Sequence, residues 1–297
     1  MLKKTIRRLG ALAMVLAMAV SVFAVNASAA DTGVDQLTIT KNVPTGTNVH
    51  APNTTFAFEV KAGEAELKYA GYDVIQGDAG DWTMGDPVSV TKTGQAAETA
   101  TGTTTMTLNR TYTAPGIYSY KVVEKAGSYD GITYSDAVKD VLVFVEYDAA
   151  TKANVVKKAV VVTIATTDGK KVATVAEEKG DLTFTNDYET HKLTVKKKVE
   201  GKLGNRSQEF DFTITITPAD GVVGEKYWVV PNGGNGYEAT TVANVDGTVT
   251  ATVTVKLTDA QSVEIYGLSP EDSYDVAEAE TEYTISYDGY KSGAMGN

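Results

Sequence analysis

Apolar and polar positions alternate along this chain in short runs, and glycine, aspartate and asparagine separate the runs. The runs are rich in valine, threonine, tyrosine and phenylalanine, and helical periodicity is nearly absent. Such a pattern is typical of β-strands joined by turns, and many short strands at this spacing indicate sandwiches of two packed sheets. We therefore predict an all-β protein made of tandem immunoglobulin-like β-sandwich domains.

The strand pattern is clearest in segments spread over the chain after residue 36. The predicted strands are Leu37–Val43, Phe56–Val60, Tyr118–Glu124, Val141–Tyr147, Val160–Thr166, Leu182–Asn186, Leu193–Val199, Phe210–Thr217, Thr248–Leu257 and Tyr274–Glu278. The dipeptide Asp168-Gly169 suits a two-residue hairpin turn. We expect this turn to join Val160–Thr166 to a strand that begins near Val172.

The first thirty residues have the features of a secretory signal peptide. Four basic residues lie between positions 3 and 8, Leu9–Val25 is apolar, and Ala27–Ala29 has the small-x-small pattern of a cleavage site. The apolar stretch is also about long enough to anchor the chain in a bilayer. The cleavage pattern and the abrupt change to Asp31 favour removal. We therefore predict that residues 1–30 are a signal peptide and that the mature chain is exported without a membrane segment.

Composition excludes several classes of function. The chain has 27 basic and 38 acidic residues and a net charge of −11, which excludes a basic nucleic-acid footprint. Without cysteine it has neither disulfides nor thiolate metal sites. Its two histidines, His50 and His191, leave little for a histidine-based metal centre or catalytic triad. We predict no metal, no cofactor and no nucleic-acid partner.

Two further features have ordinary explanations. Trp82 and Trp228 have side chains of the kind that stack on sugars, but we expect them to pack in the core or on the surface. The glycine-rich run 232–236 lacks the Lys-Ser/Thr ending of a phosphate-binding loop, so we expect a flexible loop.

One unit is present twice in the mature chain. The matched segments are Leu37–Val43 with Leu193–Val199, Phe56–Phe58 with Phe210–Phe212, and Tyr120–Glu124 with Tyr274–Glu278. The spacing from the lysine of the first segment to the glutamate of the last is 124 − 41 = 83 residues in the first copy and 278 − 197 = 81 in the second. Such self-similarity indicates duplication. We predict one domain at residues 31–189 and a second at residues 190–297, with the boundary near Tyr188–His191.

Polar residues occur in phase with the apolar core positions of these strands. Residues two apart face the same side of a strand, and Lys41, Glu124 and Asn186 each lie two residues from a predicted core position. Lys197 and Glu278 repeat the pattern in the second copy. The neighbouring core positions are Ile39, Val122, Phe184, Val195 and Val276. Each polar residue taken singly could reach solvent at a strand end. Burying a lone charge is very costly, so the repetition favours side chains that pair or react inside the core.

The chain resembles Gram-positive pilins built from streptococcal-type pilin isopeptide-linkage domains, relatives of the CnaB-like sandwiches. The residues that support this resemblance are Lys41, the Tyr-x-Val-x-Glu motif ending at Glu124, Asn186 in Leu-Thr-Phe-Thr-Asn, Lys197, Gly267–Pro270 and the second Tyr-x-Val-x-Glu motif, ending at Glu278. In that family a lysine amine and an asparagine amide join into an intramolecular isopeptide bond. The resemblance implies a cross-link between Lys41 and Asn186 with Glu124 as the catalytic carboxylate. It also implies a second site with Lys197 and with Glu278 as its carboxylate.

The expected chemistry depends on burial. An apolar pocket lowers the pKa of a lysine and raises that of a glutamate. A neutral Lys41 amine would attack the Asn186 amide, while protonated Glu124 donates a hydrogen bond to the amide oxygen and transfers protons as ammonia leaves. Because the chain reacts once with itself, we do not predict an enzyme.

The second copy is predicted to lack its asparagine. In the first copy the asparagine follows the glutamate by 186 − 124 = 62 residues, which would place the second partner near 278 + 62 = 340. Asn297 follows Glu278 by only 297 − 278 = 19 residues, too few for the intervening strands. We expect the second domain to be C-terminally incomplete and the sequence to be either a fragment or an incomplete gene model, without its sorting signal.

The resemblance implies a structural subunit of a sortase-assembled pilus on the cell wall of a Gram-positive bacterium. Its partners would be other pilin subunits, a sortase and host surface ligands. Lys179, shortly before the closing asparagine strand, would link subunits, unless it is a solvated turn lysine. The alternatives are a stalk or binding domain of a cell-wall-anchored adhesin and an accessory domain of a secreted carbohydrate enzyme.

Overall fold

The computed structural model describes residues 35–180 and 182–289, and of residues 176–180 it describes the backbone alone. The predicted signal peptide and Asn297 lie outside the described residues. Strands dominate the described chain, whose one helical element is a 3-10 turn at Ala79–Asp81. The all-β prediction is therefore confirmed. None of the helical structure in the described ranges has the length and apolar character needed to span a bilayer.

We call residues 35–189 the N-terminal region and residues 190–289 the C-terminal region. The strands of the N-terminal region are β1 (Gln36–Thr45), β2 (Thr55–Phe56), β3 (Phe58–Ala62), β4 (Leu67–Tyr69), β5 (Tyr72–Asp73), β6 (Ile75–Gln76), β7 (Trp82–Met84), β8 (Val88–Ser89), β9 (Glu98–Leu108), β10 (Gly116–Glu124), β11 (Ile132–Thr133), β12 (Val138–Asp148), β13 (Ala153–Thr167), β14 (Lys170–Gly180), β15 (Leu182–Thr185) and β16 (Asp187–Tyr188). Those of the C-terminal region are β17 (His191–Lys196), β18 (Phe210–Thr217), β19 (Lys226–Pro231), β20 (Tyr237–Thr240), β21 (Val242–Ala243), β22 (Val249–Leu257), β23 (Ser262–Leu268) and β24 (Ser273–Glu278).

Two sheets of the N-terminal region enclose its main core. One has the order β15-β1-β9-β7, and the other has the order β3-β10-β12-β13-β14-β4-β5, with β6 beside β10. Side chains of both sheets form one apolar cluster, with members such as Ile39, Met106, Tyr120, Val143 and Phe184. Within the first sheet, β1 is parallel to β15 and antiparallel to β9. A strand from the start of the region therefore lies beside a strand from its end.

The larger sheet is buried on both faces near its centre. Leu67, Tyr69, Ile117 and Phe144 belong to a second apolar cluster, separate from the main core. It forms where β4 pairs in parallel with β14 and β6 pairs in parallel with β10. As a result Val141–Val145 of β12 is buried at every position instead of alternating, which is typical of a strand covered on both sides.

The C-terminal region is a smaller pair of sheets. Their strand orders are β17-β23-β19-β20 and β21-β22-β18-β24. Their core contains Phe210, Ile214, Tyr227, Val253 and Ile265. Among the described residues, β17 pairs only with β23 and β24 pairs only with β18, so each has one free edge.

The predicted hairpin and most predicted strands are confirmed. β13 and β14 pair in antiparallel fashion around Asp168-Gly169, whose φ angles of 50° and 73° suit a tight turn. The predicted strand Phe56–Val60 is divided instead, because Phe56 pairs with Val88 while Phe58 begins β3 beside β10.

The loop between β10 and β11 makes hydrogen bonds with the C-terminal region. Tyr129 donates a hydrogen bond from its hydroxyl to Glu225 Oε2 over 2.6 Å, and both side chains are buried. The Asp130 N–H donates to Asp220 Oδ2 over 2.7 Å, and Asp130 Oδ2 accepts from the Glu271 N–H over 2.7 Å. Burial raises the pKa of Glu225 to about 7, because a carboxylate without solvent is disfavoured.

Candidate functional site

Lys41 lies within β1 and points into the main core. Its neighbours on the same face, Ile39 and Val43, are fully buried, and Lys41 itself is 0 % exposed. Its Nζ lies 4.8 Å from the centroid of the Phe56 ring. Because β1 is paired on both sides, strand alternation holds this amine in an apolar setting.

Glu124 reaches the same place from the opposite sheet. It is the last residue of β10, lies opposite Phe58 of β3, and is 7 % exposed. Tyr120 and Val122, on the same face of β10, are fully buried. The strand phase therefore carries the carboxyl group inward.

Asn186 directly follows β15, beside β1. In the parallel register Lys41 lies opposite Phe184, two residues before Asn186. The Asn186 N–H donates to Asn42 O over 3.1 Å, which extends the contact between the two strands. Asn186 is 1 % exposed, so its amide is in the core with the other two groups.

The three side chains form one hydrogen-bonded group. Lys41 Nζ donates to Glu124 Oε2 over 2.9 Å, and Asn186 Nδ2 donates to Glu124 Oε1 over 3.0 Å. Glu124 thus contacts the amine with one oxygen and the amide nitrogen with the other. Such charge-assisted contacts are strong where water is excluded.

Ser135 belongs to this group through its backbone, and the sequence did not single it out. Its N–H donates to Asn186 Oδ1 over 2.8 Å and makes a longer contact of 3.2 Å with Glu124 Oε2. We expected Glu124 to donate to the amide oxygen, but in the structure that oxygen accepts from Ser135. No sequence signal identifies such a donor, because any residue except proline has a backbone N–H.

Burial lowers the pKa of Lys41, although the hydrogen bond and the charge of Glu124 oppose the change. Burial is the largest of these influences, so the net effect favours the neutral amine. The neutral amine is the nucleophilic form of lysine. The site therefore contains an amine and an amide that both contact the same carboxyl group.

Lys197 and Glu278 form a similar pair in the C-terminal region. Lys197 Nζ donates to Glu278 Oε1 over 2.6 Å and lies 3.9 Å from the centroid of the Phe210 ring. Glu278 is opposite Phe212, as Glu124 is opposite Phe58. No asparagine of the described ranges is hydrogen-bonded to this pair.

The other described side chains that the sequence singled out are not part of this site. The Lys179 side chain lies outside the described residues. Trp82 is buried against Tyr120, with ring centroids 5.7 Å apart, and half-buried Trp228 packs against His50 at 6.1 Å. Across the described part of the chain, no group of three or more histidine, aspartate or glutamate side chains is placed to hold a metal ion.

A curated pilin is among the proteins similar to this chain. A pilin of Streptococcus pyogenes serotype M1 is 28% identical over 190 residues, which is 61% of this chain. The matched part is 49% of that pilin, so the chain spans about half the length of the curated relative.

Solved pilin structures share the fold. A major pilin of Streptococcus pyogenes has a TM-score of 0.57 and 25% identity, and the match covers 84% of this chain and 83% of that one. The major pilin T3.2 of the same species has a TM-score of 0.60 at 21% identity, with 85% of each chain covered. At 21% identity, the similarity to T3.2 supports a shared fold only.

Two domain families match the chain in succession. Residues 191–297 match a domain of unknown function, DUF7601. Residues 37–189, which include Lys41, Glu124, Ser135 and Asn186, match the Spy0128-like isopeptide containing domain. Since this match spans more than half of the sequence, the chain belongs to the family of Spy0128-like isopeptide containing domains.

Proposed function

We propose that this protein is a structural subunit of a cell-surface pilus whose N-terminal region is locked by an isopeptide bond between Lys41 and Asn186. The observation that carries the proposal is the contact of Lys41, Glu124 and Asn186 in a buried site. Membership of the isopeptide-domain family and the likeness to streptococcal pilins support it.

The proposed reaction joins an amine to an amide and releases ammonia. The neutral Lys41 Nζ attacks Asn186 Cγ, a new C–N bond forms, and Glu124 Oε2 takes a proton from Nζ. The Cγ–Nδ2 bond then breaks, and Glu124 returns the proton through Oε1 to Nδ2, which leaves as ammonia. Holding the groups together without water supplies the effective concentration that an unreactive amide requires.

The product would stabilise the region and bear load. The bond would close a loop from residue 41 to residue 186, which is worth about 5 kcal/mol if cross-linking acts through chain entropy, as is argued for disulfides. Tension entering β1 would pass to the end of β15 through a covalent bond. The chain has no cysteine, so such a bond would take the role that disulfides have in many exported proteins.

We extend the proposal to Lys197 and Glu278. Their pair has the aromatic contact of the N-terminal pair, and Glu278 ends β24 as Glu124 ends β10, although Lys197 lies one residue beyond β17. Among the described residues, β17 has a free edge where β1 has β15. A strand carrying an asparagine beside β17 would complete the second site.

Assembly is proposed from the relatives. The chain would be exported by its signal peptide, linked to other pilin subunits by a sortase and attached to the cell wall. Lys179 is the proposed linking residue. Host surface ligands are further proposed partners, and catalysis would be confined to the single reaction within each chain.

Intact-mass measurement tests the bond. The mature chain should be lighter than its sequence by the mass of one ammonia, and Glu124→Ala should restore the full mass. Glu64→Ala, which removes a partly exposed carboxylate paired with Lys121 and Lys171, is the matched control and should leave the deficit unchanged. A wild-type chain of full mass would refute the bond.

Polymer formation tests the pilus assignment. In cells with a pilin sortase, the full-length gene should give SDS-resistant ladders, and Lys179→Arg should abolish them. Lys152→Arg is a suitable control because this lysine is exposed in the turn between β12 and β13. A single anchored species would favour the adhesin alternative, and ladders unchanged by Lys179→Arg would reject that residue.

A further inference from the structure

The amide oxygen of Asn186 accepts a hydrogen bond from the backbone N–H of Ser135, which makes a longer contact with Glu124 Oε2. The Ser135 N–H lies 2.8 Å from Asn186 Oδ1. Both oxygens of Glu124 are already engaged, Oε2 by Lys41 and Oε1 by the Asn186 amide nitrogen. Within the described residues, Asn186 Oδ1 therefore receives its hydrogen bond from the backbone.

The fold fixes this donor before any reaction occurs. β11 pairs with β16, with Thr133 opposite Asp187, so the chain two residues before Ser135 is tied to the chain directly after Asn186. Ser135 Oγ accepts from the Ala137 N–H over 3.3 Å, which shapes the turn beyond it. The Tyr134 ring contacts Phe56, with centroids 6.0 Å apart, and Phe56 contacts Lys41.

The reaction needs such a donor. Attack of the amine on the amide carbon moves negative charge onto Oδ1 in the tetrahedral intermediate. Glu124 is occupied with carrying a proton from the amine nitrogen to the leaving nitrogen. A preorganised donor about 2.7–3.1 Å from a developing oxyanion is among the largest contributions to acyl-transfer catalysis.

Resting on the proposed function, we infer that the backbone N–H of Ser135 is the oxyanion donor of the cross-linking reaction. It holds the charge on Asn186 Oδ1 while the new C–N bond forms. It gives up no proton and remains bonded to the carbonyl oxygen after ammonia leaves. Glu124 then transfers the proton only, and the backbone N–H of Ser135 stabilises the oxyanion.

Removing one backbone N–H tests the inference. The control is Ser135→Ala in the full-length chain, which loses the hydroxyl but keeps the N–H. The test variant is the same chain with lactic acid, the hydroxy-acid analogue of alanine, at position 135, which replaces the amide with an ester and removes only the N–H. Both are made by cell-free translation, and ammonia loss is followed by intact mass in pulse-labelled chains.

We expect the ester to react about 10²–10³-fold more slowly than Ser135→Ala, the usual loss when one oxyanion donor is removed. An ester that reacts within a few-fold of the control would overturn the inference. A wild type that keeps its ammonia would instead reject the proposed function. Equal protease resistance of the control and the ester shows that both are folded.

A second measurement does not depend on the variant. In the wild-type product, NMR should show a scalar coupling across the hydrogen bond between the Ser135 backbone nitrogen and the Asn186 side-chain carbonyl carbon. It should also show slow exchange of the Ser135 amide hydrogen. Absence of the coupling together with rapid exchange would overturn the inference even if the ester variant did not fold.

Discussion

The two lysine–glutamate pairs of this protein are built alike but surrounded differently. In each, the glutamate lies opposite the second phenylalanine of a Phe-x-Phe segment, and the lysine contacts an aromatic ring. The side chains of the N-terminal pair are 0 % exposed, whereas those of Lys197 and Glu278 are 11% and 5% exposed. Among the described residues, a side-chain amide contacts the N-terminal pair and none contacts the C-terminal pair.

The difference lies in the neighbouring strands. β10 is enclosed between β3 and β12, and its Tyr120 is 0 % exposed. In the described part of the chain β24 has one free edge, and the matching Tyr274 is 43% exposed. β1 has β15 beside it, whereas the corresponding edge of β17 is free among the described residues. Two facing sheets are enough to place a lysine against a glutamate, but further strands are needed to bring an amide and exclude water.

Removing the side-chain amide of Asn186 should change the difference in stability between the two regions more than any other substitution proposed here. Asn186→Ala leaves the hydrogen bond between Lys41 and Glu124 but prevents the isopeptide bond. We expect the N-terminal region to lose about 5 kcal/mol of unfolding free energy, the chain-entropy value for a loop of this length, while the C-terminal region is unchanged. Denaturant unfolding, followed by the single remaining tryptophan, measures each region separately. With Trp228→Phe, Trp82 reports the N-terminal region; with Trp82→Phe, Trp228 reports the C-terminal region.

The neighbouring residue Asn42 supplies the control for this prediction. Its side chain accepts a bond from the Thr101 hydroxyl on the outer side of β1. Asn42→Ala should therefore change stability by no more than about 1 kcal/mol. Equal losses from the two variants would contradict the cross-link.

The joint between the two regions should respond to pH. The pKa of Glu225 is raised from 4.5 to about 7 in the folded chain, so the folded form keeps a proton that the unfolded form has lost. The contribution of protonated Glu225 to the unfolding free energy is complete below pH 4.5 and is lost as the pH rises through 7. Relative to Glu225→Gln, the wild type should lose about 3 kcal/mol between pH 4.5 and 8.

Urea unfolding across this pH range measures the difference. The carboxyl group of Glu225 faces Tyr129, Tyr188, Asp220 and Asp272. All four residues are present in both the wild type and Glu225→Gln. Glu264→Gln is the control with the opposite sign, because its hydrogen bond with Lys192 lowers the pKa of Glu264. If the unfolding free energies of Glu225→Gln and the wild type change in parallel with pH, the folded chain does not hold a proton on Glu225.

Breaking the C-terminal pair should have the smallest of the three effects. Lys197→Met leaves the Glu278 carboxylate nearly buried and without its partner, and we expect a loss of about 2 kcal/mol in the C-terminal region. Adding Glu278→Leu should restore much of this loss, because an apolar pair can replace a buried ion pair. A double variant no more stable than Lys197→Met would indicate that the carboxyl group has another role in the fold.

Much of the site could be read from single strands. Lys41 and Glu124 follow from the two-residue period of β1 and β10, and the Asp168-Gly169 turn follows from its residues. The strand Glu98–Leu108 was not singled out, because threonine and glycine occupy many of its positions and weaken the apolar signal. The division of Phe56–Val60 was also missed, because it depends on pairing with distant strands.

The sequence by itself determined which side chains face inward, because alternation along a strand is a local property of the backbone. Tertiary structure alone decided that β1 lies parallel to β15, that Ser135 turns its N–H toward Asn186, and that Glu225 is buried at the joint. Those contacts join residues far apart in the chain, and sheet register fixes them. A register is chosen by the packing of the whole core, which no single segment encodes.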